Sequence, residues 1–167
     1  MRNILKYKPA ILMLGLSICL AGICGAEQGG TEKKKQLNAR VETLQREQDY
    51  LVFQKTMYES DSKYLIINIP AKTGQLKYKN RLLKSLHFKL ISGQVSRLTP
   101  GALTLTQKIE GPRERNLLIF GQALVLQGKY APATRIEAGI PCLSVSRKDF
   151  LSIYYAIESG AKAFILL

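Results

Sequence analysis

Histidine is nearly absent from this chain: His87 is the only one among 167 residues. Cysteine is scarce as well, present at Cys19, Cys24 and Cys142. One histidine, few cysteines and dispersed carboxylates form no cluster at metal-ligand spacing, so neither a metal nor a cofactor is expected. A serine hydrolase is excluded on similar grounds, since no histidine is placed to activate a serine, and no glycine-rich phosphate loop appears. Acidic residues are under-represented, 12 against 25 lysines and arginines. No apolar run reaches the roughly 20 residues that cross a bilayer as a helix.

The longest such run, Ile11 to Ile23, has 13 residues and follows Arg2, Lys6 and Lys8. A short apolar core behind basic residues and ahead of small ones is the pattern of a secretory signal peptide. Cleavage is expected after Ala26, with Cys24 and Ala26 as the small residues a signal peptidase needs. Lipidation would use Cys24 or Cys19, but bulky Ile23 and Ile18 stand directly before them. The expected locale is the periplasm or cell envelope, with membrane contact only through an uncleaved leader.

Loss of residues 1–26 would leave Cys142 as the sole cysteine, so no internal disulfide could form. An unpaired cysteine in an exported protein is a reactive thiol, an intermolecular partner or a buried bystander. The remaining 141 residues suffice for one domain and carry a net charge of +10. That excess suits an anionic envelope surface, and an exported chain rarely meets nucleic acid, so no nucleic-acid partner is expected.

Two periodicities divide the chain beyond the leader. Residues 27–62 have the composition of a helix, with Leu37, Val41, Leu44 and Leu51 along one stripe. Gln48 and Lys55 interrupt the stripe, which spans only about two heptads. A single amphipathic helix, packing on the domain or spacing it from the membrane, is therefore expected rather than a coiled coil. "ESDS" at Glu59 to Ser62 reads as its break.

From residue 63 the period becomes that of strands. Tyr64 to Ile69 is a continuous apolar run, "PAKTGQ" a turn, Leu76 and Tyr78 an alternating segment, and Leu86 and Phe88 a further strand. "ALTLTQKI" from Ala102 and "NLLIFGQALVLQG" from Asn116, split by Gly121, add more. Lys148 to Ser159 reads as a helix with Phe150, Ile153, Tyr154 and Ile157 on one face, stopped by Gly160. "AKAFILL" closes the chain as a strand. The expected fold is mainly β with one or two helices.

Three stretches in this order resemble the L,D-transpeptidase catalytic domain (YkuD-type), whose members act on peptidoglycan through a cysteine thiolate. "YLIINIPAKTGQLKYKNRLLKSLHFKL" is similar to its opening strands. "LTPGALTLTQK" resembles its Thr-Pro-x-Gly-x-Phe-x-Ile element, one residue short, with Thr99, Pro100 and Gly101 retained. "CLSVSRKDFLSIYYAIESGAKAFIL" resembles its nucleophile segment: cysteine opening a strand, Ser-x-x-Asp, a helix, then a Gly-led strand. The resemblance covers residues 63–167 and implies a β-sandwich or barrel, with Ser146 capping a helix that holds Asp149 in its first turn.

The resemblance also implies a site, and there the chain departs from the pattern. The family carries a His-Gly on an upstream strand; here Gln127 precedes Gly128. It carries His-Gly-Cys-x-Arg at the nucleophile; here Ile140 and Pro141 precede Cys142, and Ser144 stands in the arginine's place. A thiol near its ordinary pKa of about 8.5 is only a few per cent thiolate at neutral pH, and none of these neighbours raises that fraction. Pro141 has no N–H to offer an oxyanion. Losing base and donors together costs on the order of 10⁴-fold or more in rate. Cys142 is thus expected as a remnant nucleophile, and Gln127, Gly128, Arg135 and Ser144 as the matching substrate-side residues.

His87 alternates with Leu86 and Phe88, so a strand would turn it to the opposite face, where the resemblance places nothing catalytic. Arg113, Arg115, Lys129, Arg135, Arg147 and Lys148, with Tyr130, read either as solvated loop charges or as groups edging a groove that hold peptide carboxylates. The sum is an exported envelope protein with a degenerate L,D-transpeptidase-like domain. Its expected role is to bind peptidoglycan or an envelope protein without catalysis. A working cysteine transferase and a scaffold acting through the N-terminal helix are the alternatives.

Overall fold

The computed structural model describes residues 8–111, 116–129 and 139–167, with the backbone alone for residues 8–30. The chain divides into two units, Met1–Gln45 and Arg46–Leu167. The first is helical where described, part of a helix α1 that runs Lys8–Glu59. Among the described residues no helix is long and apolar enough to cross a membrane.

The second unit is a barrel. Its strands are β1 (Lys63–Asn68), β2 (Thr73–Tyr78), β3 (Arg81–Ser92), β4 (Gly101–Ile109), β5 (Leu117–Phe120), β6 (Leu124–Gly128), β7 (Cys142–Val145) and β8 (Lys162–Leu166). A second helix, α2 (Arg147–Ala156), lies between β7 and β8. The strands close in the order β1-β2-β3-β7-β6-β5-β4-β8. Two neighbouring pairs, β1 with β8 and β6 with β7, are parallel; the others are antiparallel. Closure leaves no open sheet edge along the circuit.

Burial explains why some strands alternate and others do not. On β3, Leu86 and Phe88 enter the core while His87 and Lys89 face out to solvent. β1 is apolar without a break from Tyr64 to Ile67 because both its faces are covered there. Leu65 and Ile67 point into the barrel, whereas Tyr64 and Ile66 meet Phe53 and Met57 from the last turns of α1. Phe164 of β8, paired with Ile66, joins this outer layer. Its rings stack obliquely: Phe53–Phe164 centroids lie 5.0 Å apart and Phe53–Tyr64 5.6 Å, edge to face. Each such pair contributes about 0.5–1.5 kcal/mol beyond the area it buries.

The apolar stripe expected of the helix behaves otherwise. Leu37, Val41, Leu44 and Leu51 are all exposed, and the residues of α1 that pack are Tyr50, Phe53 and Met57. Counting spacings identifies a stripe but not the face that meets the domain. Here the aromatic and methionine side chains, bulkier and three to four residues apart, fill the space outside β1 and β8.

α2 is fixed at both ends. Ser146 is its N-cap, its hydroxyl accepting from the Asp149 N–H at 3.1 Å while donating to the Asp149 carboxylate at 2.6 Å. Lys84 of β3 adds an ion pair to Asp149 at 2.9 Å and a hydrogen bond to Ser152. Both groups hold the Asp149 carboxyl below its usual range, the Ser146 hydrogen bond most strongly. At the other end Lys108 of β4 donates to the carbonyls of Tyr154 and Ile157 at 2.7 and 2.9 Å. Its ammonium also sits 4.6 Å from the Tyr154 ring centroid. The last carbonyls of a helix lack partners within it and carry the negative end of its dipole, so a cation there is doubly favourable.

The helix therefore stops at Ala156, short of the expected Ser159. Ile157 is extended and buried, and Gly160, with φ of 85°, sits in the turn that feeds β8 instead of ending the helix.

Candidate functional site

The candidate site is built where β3, β7 and β6 lie side by side. β7 is short, and its alternation sends Leu143 and Val145 into the barrel and Cys142 and Ser144 outward. Register places Cys142 against Val125 on β6 and Ser92 on β3, and Ser144 against Gln127 on β6 and Lys89 on β3. Val125 donates its N–H to the Pro141 carbonyl at 3.0 Å, which anchors the entry to β7. Gly93 fixes the same entry from the other side. Its φ is 84°, and a β-carbon there would lie 2.5 Å from the Ile140 oxygen, so glycine alone allows this approach.

Cys142 is completely buried. Its surroundings form a small apolar layer outside the barrel wall: Leu117 and Val125, with Ile109, Ile119 and Ile140 packed on them. Burial makes a thiolate costly, and the thiol is pushed up from 9.0 to about 11. At neutral pH the thiolate fraction is then on the order of one in ten thousand. A buried thiol in apolar surroundings thus presents little thiolate.

His87 cannot repair this. It is exposed on β3, five residues along the strand from Ser92, the partner of Cys142. At about 3.3 Å per residue the separation along the strand is roughly 16 Å, beyond any proton transfer. Among the described residues no group of three histidine, cysteine or acidic side chains is placed to hold a metal.

The remaining expected residues scatter between the two faces. Gln127 is 1% exposed on the outer face of β6, and its Oε1 has no hydrogen-bond partner among the described residues. Ser144, its neighbour in register, is half-buried. Gly128 falls on the other face of β6. A β-carbon there would meet the Phe150 side chain at 3.6 Å, an ordinary contact, so packing does not demand a glycine. Arg135 lies outside the described residues, as do Arg113, Arg115 and Tyr130. Lys129, Arg147 and Lys148 are exposed. Thr99, Pro100 and Gly101 lead into β4, which β5 and β6 separate from β7 in the barrel.

Sequence reasoning misses one residue of this face. Lys89 continues the row Gln127, Ser144, Lys89 across three strands, passing from buried through half-buried to exposed. Alternation with Phe88 is the only signal for it, and the pairing of β3 with β7 gives that alternation its meaning. The row offers, in order, a buried acceptor, a hydroxyl and a cation.

No family model matches the sequence, and no curated protein matches it. Solved structures do. An L,D-transpeptidase from Mycobacterium smegmatis is similar at 11% identity and a TM-score of 0.49, over 64% of this chain and 59% of that one. L,D-transpeptidase 1 of Mycobacterium tuberculosis is similar at 12% identity and 0.48, over 65% and 63%. A fused Zn-dependent amidase/peptidase/peptidoglycan-binding domain-containing protein from Clostridium acetobutylicum is similar at 10% identity and 0.47, over 69% and 58%. The chain thus spans less than two thirds of each of these proteins. The first two bear the family name that the motifs suggest. Likeness at this level assigns no activity.

Proposed function

We propose that this protein is an exported envelope protein whose barrel binds peptidoglycan peptides at the outer face of β6, β7 and β3 without transferring them. The observation that carries the reading is Gln127: a fully enclosed amide whose Oε1 has no donor among the described residues. Buried polar atoms are nearly always satisfied, and one left open costs about 1–3 kcal/mol. A ligand N–H, such as the amide of a stem peptide, would satisfy it once the Gln127 side chain turns out from under its cover toward Ser144. Ser144 and the Lys89 ammonium continue the row toward solvent, where a peptide carboxylate could be held.

Loss of catalysis is the second half of the reading. The enclosed Cys142 thiol, Ile140 and Pro141 before it, and a histidine roughly 16 Å away along β3 all speak against an acyl-enzyme. The peptidoglycan assignment rests on the three motif stretches, and export rests on the basic and apolar leader.

Co-sedimentation with purified peptidoglycan sacculi, alongside an assay for released D-alanine, tests both halves. Wild type and Cys142→Ala should sediment equally, Gln127→Met should sediment less, and no D-alanine should appear. Release of D-alanine that Cys142→Ala abolishes would make the protein a transferase. Wild type that stays in solution would refute peptidoglycan as the ligand.

A further inference from the structure

The positive charge of the chain is not spread evenly. Between Asp61 and Glu110 the sequence holds nine lysines and arginines and no acidic residue. The hairpin of β2 and β3 lies in this stretch, within the Arg46–Leu167 unit, and carries Lys77, Lys79, Arg81 and Lys84 around its turn. Lys79 is paired with Asp61 at 3.0 Å and Lys84 with Asp149 at 2.9 Å. Lys77 and Arg81 have no ion-pair partner among the described residues. Glu59 ends α1 and Glu158 follows α2, where it lines a hollow with Asp61 and Lys63; neither is on the hairpin.

Two leucines stand among these cations. Leu82 and Leu83 follow Arg81 and precede Lys84, and they are 52% and 47% exposed. Leu82 pairs across the hairpin with Lys77, and Lys84 with Leu76, so Leu83 is the extra residue of a β-bulge. A bulge breaks the alternation of a strand and re-aims its side chains, which brings two successive residues to solvent here. The turn itself is pinned to the start of the sheet. The Tyr64 hydroxyl donates to the Lys79 carbonyl at 2.7 Å, and the Tyr78 hydroxyl donates to the Asp61 carboxylate at 3.3 Å. Lys79 has φ of 51°, a left-handed conformation that glycine or asparagine adopts at lower cost, yet the position holds a lysine.

We propose that the tip of this hairpin docks on an anionic phospholipid surface, with Leu82 and Leu83 entering the boundary between headgroups and acyl chains and Lys77 and Arg81 against the phosphates. Phospholipid matches both features of the tip, because it presents anionic groups and, within one side-chain length beneath them, hydrocarbon. An acidic polymer supplies the charge but nothing in which to bury leucine, and an apolar groove on a protein leaves the two cations unpartnered. Each cation near an anionic leaflet strengthens binding about fivefold. The hairpin is already fixed in place, so docking costs little conformational freedom. This contact is additional to any made by the leader and does not depend on the reading of the Gln127 face.

The chain contains no tryptophan, so Leu83→Trp in the full-length protein gives a single fluorescent reporter at the tip. In vesicles of phosphatidylglycerol and phosphatidylcholine its emission should shift to the blue and be quenched by lipids brominated on their acyl chains. In phosphatidylcholine alone, where the leader can still hold the chain on the vesicle, neither should occur. Leu82→Trp should respond as Leu83→Trp does, which guards against a tip distorted by one substitution. Leu90→Trp, roughly 23 Å further along β3, should stay unquenched in both lipids. Adding Lys77→Gln and Arg81→Gln to Leu83→Trp should lower the ratio of docked to undocked chain about 25-fold. A tip tryptophan that stays in water on anionic vesicles overturns the proposal. So does equal quenching in the two lipids, equal quenching of Leu90→Trp, or docking unchanged by loss of the two cations. Sacculus binding is a separate readout, so failure here leaves the Gln127 face standing.

Discussion

Replacing Gln127 by methionine should make the protein more stable and less able to bind. The two side chains are of similar length and neither branches at Cβ or Cγ, so methionine fills the enclosed space on the outer face of β6 without overpacking. Removing the open Oε1 recovers about 1–3 kcal/mol of desolvation penalty. About 1 kcal/mol is deducted for whatever hydrogen bond the amide nitrogen makes. The net gain is roughly 0–2 kcal/mol, which at about 2–4 °C per kcal/mol for a chain of this size raises the melting temperature by up to about 8 °C. Calorimetry with urea titration measures it. Peptide fragments of peptidoglycan should raise the melting temperature of wild type but not of Gln127→Met, because only a native state that binds ligand is stabilised by it. A Gln127→Met protein destabilised by 1 kcal/mol or more would refute the reasoning, since it would mean that the amide is fully partnered within the fold.

The two ends of α2 give further expectations. Lys108→Met removes two charge-assisted hydrogen bonds and a ring contact, leaving the Tyr154 and Ile157 carbonyls to water. It should lower stability by about 2–3 kcal/mol, read as a melting temperature lower by roughly 4–12 °C. Asp149→Asn should cost about 1 kcal/mol at neutral pH. The Asp149 carboxyl is held below its ordinary 3.8 in the folded chain, so its contribution is complete above that value and is lost as pH falls through the folded pKa. The stability difference between wild type and Asp149→Asn should therefore vanish in acid; a difference unchanged by acidification would contradict the cap.

Much of the barrel was legible because strand periodicity is a local property. The continuous run of β1, the alternation of β3 and the split of β5 from β6 at Gly121 all stand in the structure. So does the Ser146 cap, which needs only residues three apart. What was not legible depends on distant partners. α2 ends at Ala156 because Ile157 turns into the core and a lysine from β4 takes up the last carbonyls, whereas Phe150, Ile153, Tyr154 and Ile157 continue a helical spacing either way. Which face of α1 packs was likewise decided by β1 and β8. At the site, Cys142, Gln127 and Ser144 could be named from motif order, but Lys89 joins them only through the pairing of β3 with β7. That Cys142 is sealed under apolar side chains also comes from packing, although Ile140 and Pro141 beside it had removed its expected activators.

The most direct test of a binding site without chemistry is the rate at which Cys142 reacts with a small thiol reagent, and with a carbapenem, as pH is varied. Burial that pushes the thiol to about 11 requires negligible modification of the folded protein at neutral pH, a rate that climbs only in strong alkali, and no carbapenem adduct. Rapid modification near neutral pH, with an apparent pKa below the ordinary value of about 8.5, would contradict the account and restore Cys142 as a working nucleophile.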